Sequence, residues 1–261
     1  MADTVSKTVV FIHGAWMVPA SWDNFRKSFE AAGFNTHAPA WPYLDNAPPD
    51  ELRRNPPAGL GALGIASIVD HYQSFITSLP EKPLIIGHSF GGLFTQLLLD
   101  RGLGWGGVAI DPAPIAFDVP GVVSLAAAAP VLFRWQGWDL PFTLSREAFA
   151  ANFANAAPPD VQAEAYDKLV VPAPGRIFYE GAFWIGTTVH PRRRTQPLLI
   201  TVGEKDRTVT PFTAMQAFNI QRTSPAETDF KYFPGHSHFL IAEPGWEDVA
   251  NYILRWIAHL P

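Results

Sequence analysis

At 261 residues the chain has room for one large core, and with 48% hydrophobic and 16% charged residues it is excluded from the disordered class. A formal net charge of -5, with no long basic stripe, leaves nothing for an electrostatic grip on nucleic acid. The absence of cysteine excludes disulfides, thiolate metal sites and a cysteine nucleophile.

Residues Met1 to Lys7 carry no apolar stretch of the kind a secretion signal needs. The longest apolar run, Gly121 to Leu132, falls well short of the ~20 residues of a spanning helix, so no membrane segment and a cytoplasmic location are expected. The one basic cluster, Arg192, Arg193 and Arg194, reads as a solvated linker face.

Thr8 to Ile12 is a β-branched and aromatic run closed by His13-Gly14, and it reads as a buried strand. A helix follows, with Ser21 as the expected N-cap, Trp22, Phe25 and Phe29 on its apolar face and Gly33 at its end. Asn35 to Trp41 supplies a second strand. Prolines 42, 48, 49, 56 and 57 argue against any regular helix between Pro42 and Gly64, which is expected to be an ordered loop or a lid.

Ile68, Tyr72, Phe75, Ile76 and Leu79 recur at helical spacing, and Pro80 and Pro83 lead into the strand Leu84-Ile85-Ile86. Leu93, Phe94, Leu97 and Leu98 form the next helical face, and Gly107 to Ile110 the next strand. Strands at Pro197 to Val202 and Thr228 to Phe233 follow, with helices from about Pro211 and over Pro244 to His259.

This alternation predicts an α/β fold with a doubly wound, mostly parallel sheet of about six strands and chemistry at the strand carboxyl ends. Residues 1-111 and 197-261 would form its core. Between them, residues 112-196 contribute helical patterns and no convincing strand, and read as an inserted helical cap. Within that insertion Ser145 can N-cap a helix through Phe149 and Phe153, and Pro158-Pro159-Asp160 opens another.

Gly87-His88-Ser89-Phe90-Gly91 matches G-x-S-x-G, in which a serine sits on a sharp turn between strand and helix. Chance supplies this pattern in roughly one such chain in twenty. The flanking elements raise its weight, since a strand pattern precedes it and a helical one follows. Attack on a carbonyl by Ser89 also needs donors for the developing oxyanion, each worth a few kcal/mol. Phe90 N–H at the helix start is one, and Ala15 N–H in the loop after the first strand is the second. His13 beside it is expected to shape that loop.

A serine needs a base, and the base needs an acid that sets its tautomer. His236 and His238 both lie between the last strand and last helix, with His238 nearer the helix. Asp206 follows a strand end and suits the acid, with Asp111 after the preceding strand as its rival; Glu204 reads as solvent-facing or paired with Lys205. The order Ser89, Asp206, His238 is the one this chemistry shows on α/β sheets.

HGAW at 13 to 16, GHSFGG at 87 to 92, GEKD ending at 206 and HFLIAEP at 238 to 244 together resemble the α/β-hydrolase superfamily over nearly the whole chain outside the insertion. In many members the histidine is followed five residues later by glutamate. Glu243 fits that spacing from His238 and not from His236, so the resemblance selects His238. Members often begin with an antiparallel hairpin, whereas only about seven residues precede the HG strand here. That start is similar to the plant hydroxynitrile lyase and methyl-salicylate esterase branch.

The resemblance implies ester hydrolysis, and admits lyases and cofactor-free dioxygenases on the same fold. A ligand receptor would need neither base nor acid. The expected substrate is an apolar small-molecule ester or lactone, met by Trp16, His88, Trp135, Trp138, Phe183 and Trp184, although most cap aromatics must be core. Neither a metal nor an organic cofactor is required.

Overall fold

The computed structural model describes residues 6–45, 47–118 and 129–260. Its main sheet has six strands in the order β2-β1-β3-β4-β7-β8, all pairs parallel. They are β1 (Thr8–Ile12), β2 (Asn35–His37), β3 (Leu84–His88), β4 (Gly106–Ile110), β7 (Leu198–Gly203) and β8 (Thr228–Phe233).

Successive strand residues point to opposite faces, and the apolar core divides accordingly. Val10, Ile12, Ile85 and Ile200 belong to one cluster, with the helices Ile65–Ser78, Phe90–Asp100 and Pro211–Gln221. Val9, Phe11, Ile86 and Leu199 belong to the other, with the helices Asp23–Ala31 and Trp246–His259. Because both faces are covered, the four central strands β1, β3, β4 and β7 are buried throughout, and their carboxyl-end loops are left to carry polar groups.

Several local expectations change. The helix Asp23–Ala31 is not capped by Ser21, whose hydroxyl donates to Val18 O at 2.8 Å inside a preceding 3-10 turn. At the other end Gly33, at φ 85°, closes the helix with Gly33 N–H on Glu30 O and Phe34 N–H on Phe29 O, a Schellman pairing. The second strand stops at His37, short of Trp41.

The proline-rich stretch does contain a helix, Pro49–Arg54, and a 3-10 turn, Leu60–Ala62. Pro49 is the first helical residue, where a missing N–H costs no hydrogen bond. Between β4 and β7 lie a two-residue antiparallel ladder of β5 (Pro141–Phe142) with β6 (Ala173–Pro174) and the helices Pro159–Leu169 and Gly175–Ala182. Ser145 does accept the Ala148 N–H at 3.1 Å, and the turn Arg146–Ala148 continues as a π-helix over Phe149–Phe153.

Arg192 and Arg193 are exposed, but Arg194 is not part of a solvated face. It is buried and donates to Gln196 O, Gln221 O and Glu227 O, tying the entry of β7 to the neighbouring helix and β8. Burial lowers its pKa to about 10. No helix among the described residues is long and apolar enough to cross a membrane; most of the 121–132 run lies outside those residues.

Candidate active site

Ser89 stands between β3 and the helix Phe90–Asp100 at φ 57°, ψ -121°, a conformation that strains any residue with a side chain. Its surroundings over-determine that geometry. Ser89 N–H donates to Ile110 O at 2.9 Å, and its carbonyl accepts from Gly92, Leu93 and Ala113. Glycine is obligatory on either side of the turn, because a Cβ at Gly87 would lie 2.0 Å from Gly91 O, and one at Gly91 would lie 2.1 Å from Ile12 O. Phe90 is the first helical residue, so its N–H has no intrahelical acceptor.

Asp206 follows β7 and is anchored through one oxygen. Its Oδ1 accepts Thr208 N–H at 2.7 Å and Val209 N–H at 2.8 Å, while Oδ2 lies 2.6 Å from His238 Nδ1. The contact puts the proton of a neutral His238 on Nδ1, leaving Nε2 as the basic atom. Nε2 is buried and makes no hydrogen bond among the described residues.

Two side chains fix the His238 ring. His88 Nε2 donates to His238 O at 2.8 Å with ring centroids 4.6 Å apart, and Phe153 meets the imidazole edge-on at 4.6 Å. Burial, reinforced by His238, holds the His88 pKa well below that of an ordinary imidazole, so His88 is neutral and can serve as this donor.

Glu243 does not touch His238. It accepts from His236 Nδ1 at 3.0 Å, from Ser237 N–H at 2.8 Å and from Ser237 Oγ, bracing the loop that carries the imidazole. Glu204 accepts Gly235 N–H at 2.8 Å and so holds the start of the same loop. Asp111 lies behind the pair, with Oδ1 on Gly203 N–H at 3.0 Å and Oδ2 at 3.7 Å from His238 Nδ1. Burial first, and then the Asp206 carboxylate, push its pKa well above the usual carboxylate range.

The loop after β1 lies against Ser89, since a Cβ on Gly14 would be 2.7 Å from Ser89 Cβ. His13 shapes this loop. Its Nε2 accepts Trp41 N–H at 3.2 Å, its Nδ1–H donates to Gly14 O at 2.9 Å, and burial lowers its pKa to about 4. Ala15 is buried next to it, and Trp16, at φ 64°, reaches into the segment between β4 and β7. Trp16 Nε1 donates to Phe142 O at 3.0 Å, and its ring stacks on Phe178 at 4.9 Å.

A cavity of about 340 Å³ is lined among others by Trp16, Phe142, Leu144, Asn152, Phe153 and Thr208; neither Ser89 nor His238 is on its wall, which comes next to the base through Phe153. Of the aromatics expected to meet a ligand, Trp16 alone is on that wall. His88 is wholly buried beneath His238 and cannot reach a ligand there. Trp135 and Phe183 are 82% and 68% exposed, Trp138 packs on Tyr179, and Trp184 donates to Asp118 O. None of these four lines the cavity.

The wall residues Phe142, Leu144, Asn152, Phe153 and Thr208 are not among the residues the sequence singled out for ligand binding. Phe153 carried a signal, as the residue four after Phe149 behind the Ser145 cap, but the π-turn that aims it at His238 has no sequence mark. His88, Asp111 and His238 also bring possible metal-ligating atoms within 4.8 Å of one another. His238 Nδ1 and His88 Nε2 are already engaged in hydrogen bonds.

The sequence profile described as the alpha/beta hydrolase family matches residues 9–251. A comparison with curated proteins finds no match. Among solved structures, a monoacylglycerol lipase from Paleococcus ferrophilus is 20% identical, with 97% of this chain and 95% of that one covered at a TM-score of 0.71. A methylesterase from Arabidopsis is 15% identical over 98% and 100%, at 0.72. Tomato methylketone synthase I complexed with 2-tridecanone is 17% identical over 98% and 99%, at 0.71. At these identities the likeness is one of fold.

Proposed function

Since this chain belongs to the alpha/beta hydrolase family, we propose that it is a serine hydrolase that cleaves a carboxylic ester or lactone of an apolar small molecule. The observation that carries the reading is the 2.6 Å contact of His238 Nδ1 with Asp206 Oδ2 in a fully buried pocket. Such a pair serves a base that must become cationic during turnover.

In this mechanism His238 Nε2 removes the Ser89 Oγ proton as Oγ attacks the carbonyl carbon. The oxyanion is met by the N–H groups of Ala15 and Phe90, and the imidazolium by Asp206. His238 then gives its proton to the leaving alkoxide, and an acyl-enzyme remains on Ser89. Water, deprotonated by the same Nε2, releases the acid. Residues 112–196 act as the cap over a core of 1–111 and 197–261, and the cavity walls of Trp16, Phe142, Leu144 and Phe153 suit an apolar acyl or alkyl group.

The names of the lipase and methylesterase neighbours favour ester substrates. A second reading, a lyase or cofactor-free dioxygenase using His238 and Asp206 without acylation, draws on the uncommitted Nε2, which could take a proton from a substrate directly. Ser89→Ala separates the two. On p-nitrophenyl esters of graded chain length it should lower kcat by at least ~10⁴-fold, and a fluorophosphonate should label Ser89 in the parent protein. Full esterase activity in Ser89→Ala would overturn the hydrolase reading.

A further inference from the structure

Asp111 is a wholly buried carboxyl that the mechanism above leaves unused. Its backbone is set by Asp111 N–H on Thr201 O at 2.9 Å and by φ 45°, and its Oδ1 accepts Gly203 N–H. The register of β4 against β7 therefore aims the carboxyl across the end of β7, at the acid and the base. Among the described residues no N–H reaches Oδ2, which faces the Asp206 carboxylate, an acceptor for a protonated Asp111, and has no loop-bracing contact of its own. It lies 3.7 Å from the His238 Nδ1 that Asp206 holds at 2.6 Å.

We propose that Asp111 is a reserve acid for His238, a positioning residue that takes over Nδ1 and balances the imidazolium when the Asp206 carboxylate is removed. The proposal rests on the assignment of Ser89, His238 and Asp206 made above. Two carboxyls this close to one nitrogen in a dry pocket hold a single negative charge between them. Three N–H groups point at Asp206, those of Thr208, Val209 and His238, and one points at Asp111. The charge therefore sits on Asp206 and Asp111 keeps its proton.

The titratable groups facing Asp111 are Asp206, His238, His88 and Glu243. Removing Asp206 takes away the nearer negative charge and leaves burial as the main obstacle to ionisation. Asp111 is then the carboxyl that faces Nδ1, and closing 3.7 Å to a hydrogen bond requires a shift of roughly 1 Å.

The test compares Asp206→Ala with the double variant Asp206→Ala, Asp111→Asn, each shown by circular dichroism to be folded. Loss of the acid with no substitute costs ~10⁴-fold in serine hydrolases. The reserve acid should limit the loss in Asp206→Ala to ~10²-fold, and the double variant should fall a further ~10²-fold. A pH profile separates this from a structural effect. In Asp206→Ala, kcat/KM should keep climbing at pH values where the parent enzyme has levelled off, as Asp111 ionises, and that added limb should vanish in the double variant.

If Asp206→Ala does not fold, Asp206→Asn with and without Asp111→Asn replaces it, with the same ranking expected. Equal kcat/KM and identical pH profiles for single and double variants would overturn the proposal. Ser89→Ala assayed alongside keeps the two failures apart. An active Ser89→Ala refutes the hydrolase reading, whereas an inactive one beside equal acid variants refutes the reserve acid alone.

Discussion

The loops at the carboxyl ends of the strands and the segment between β4 and β7 hold their aromatic and polar groups in opposite ways. At the strand ends hydrogen bonds hold the residues of the proposed chemistry: Ser89 N–H on Ile110 O, Thr208 and Val209 N–H on Asp206 Oδ1, and the His88 ring on the His238 carbonyl. In the other segment Trp135 and Phe183 stand largely in solvent, and only a subset, including Phe142, Phe149 and Phe153, faces inward. Under the proposed reading, reactivity is set by parallel-strand geometry, and substrate choice by a few inward side chains of the segment between β4 and β7.

The steepest test of that division lies within one loop. His238→Ala should lower kcat by ~10⁴-fold or more, while His236→Ala, two residues away and paired with Glu243, should cost less than ~10-fold. Steady-state kinetics on one ester suffice. Comparable losses would mean that the loop acts as a unit and not through one ring.

Next in size, Phe153→Ala should destabilise the protein by ~3–5 kcal/mol in urea unfolding and raise KM, because a fully buried ring against His238 is lost. Trp135→Ala, at 82% exposure, should stay within ~0.5 kcal/mol with KM unchanged. If Trp135→Ala raised KM instead, exposed aromatics would have to be counted in the substrate surface.

The third test is one of pH. His13 is neutral in the fold down to about pH 4, against 6.5 for an ordinary imidazole. The unfolded chain therefore binds a proton that the native one refuses. Stability linked to this ring is complete above pH 6.5 and is lost as the pH falls towards 4. At ~1.4 kcal/mol per pKa unit the loss amounts to about 3 kcal/mol. Unfolding curves of the parent and His13→Asn between pH 7 and 4 should differ in slope in that sense. Parallel curves would show that His13 titrates freely and does not lock the loop.

The central strands were legible in the sequence because a parallel strand covered on both faces is a short apolar run, as in Val9–Ile12 and Leu84–Ile86. The elbow was legible because steric demand at Gly87 and Gly91 leaves no choice of residue. The proline-rich stretch misled, since Pro49 breaks a helix from within but starts one at its first position. Arg194 misled as well, since charge runs are usually solvated and only the packing of β7, β8 and the intervening helix surrounds this one with carbonyls.

The sequence by itself determined the α/β order of elements and the strained turn at Ser89, both of which depend on local rules of sterics and periodicity, while the preference for His238 over His236 came from the family resemblance. Only the tertiary structure decided that Asp206 sits at 2.6 Å from that imidazole with Asp111 at 3.7 Å, that Glu243 serves His236 and Ser237, and that Phe153 walls the cavity. Those facts arise where the ends of β4, β7 and β8 meet a π-turn brought in from another part of the chain, and residue spacing carries no measure of that meeting.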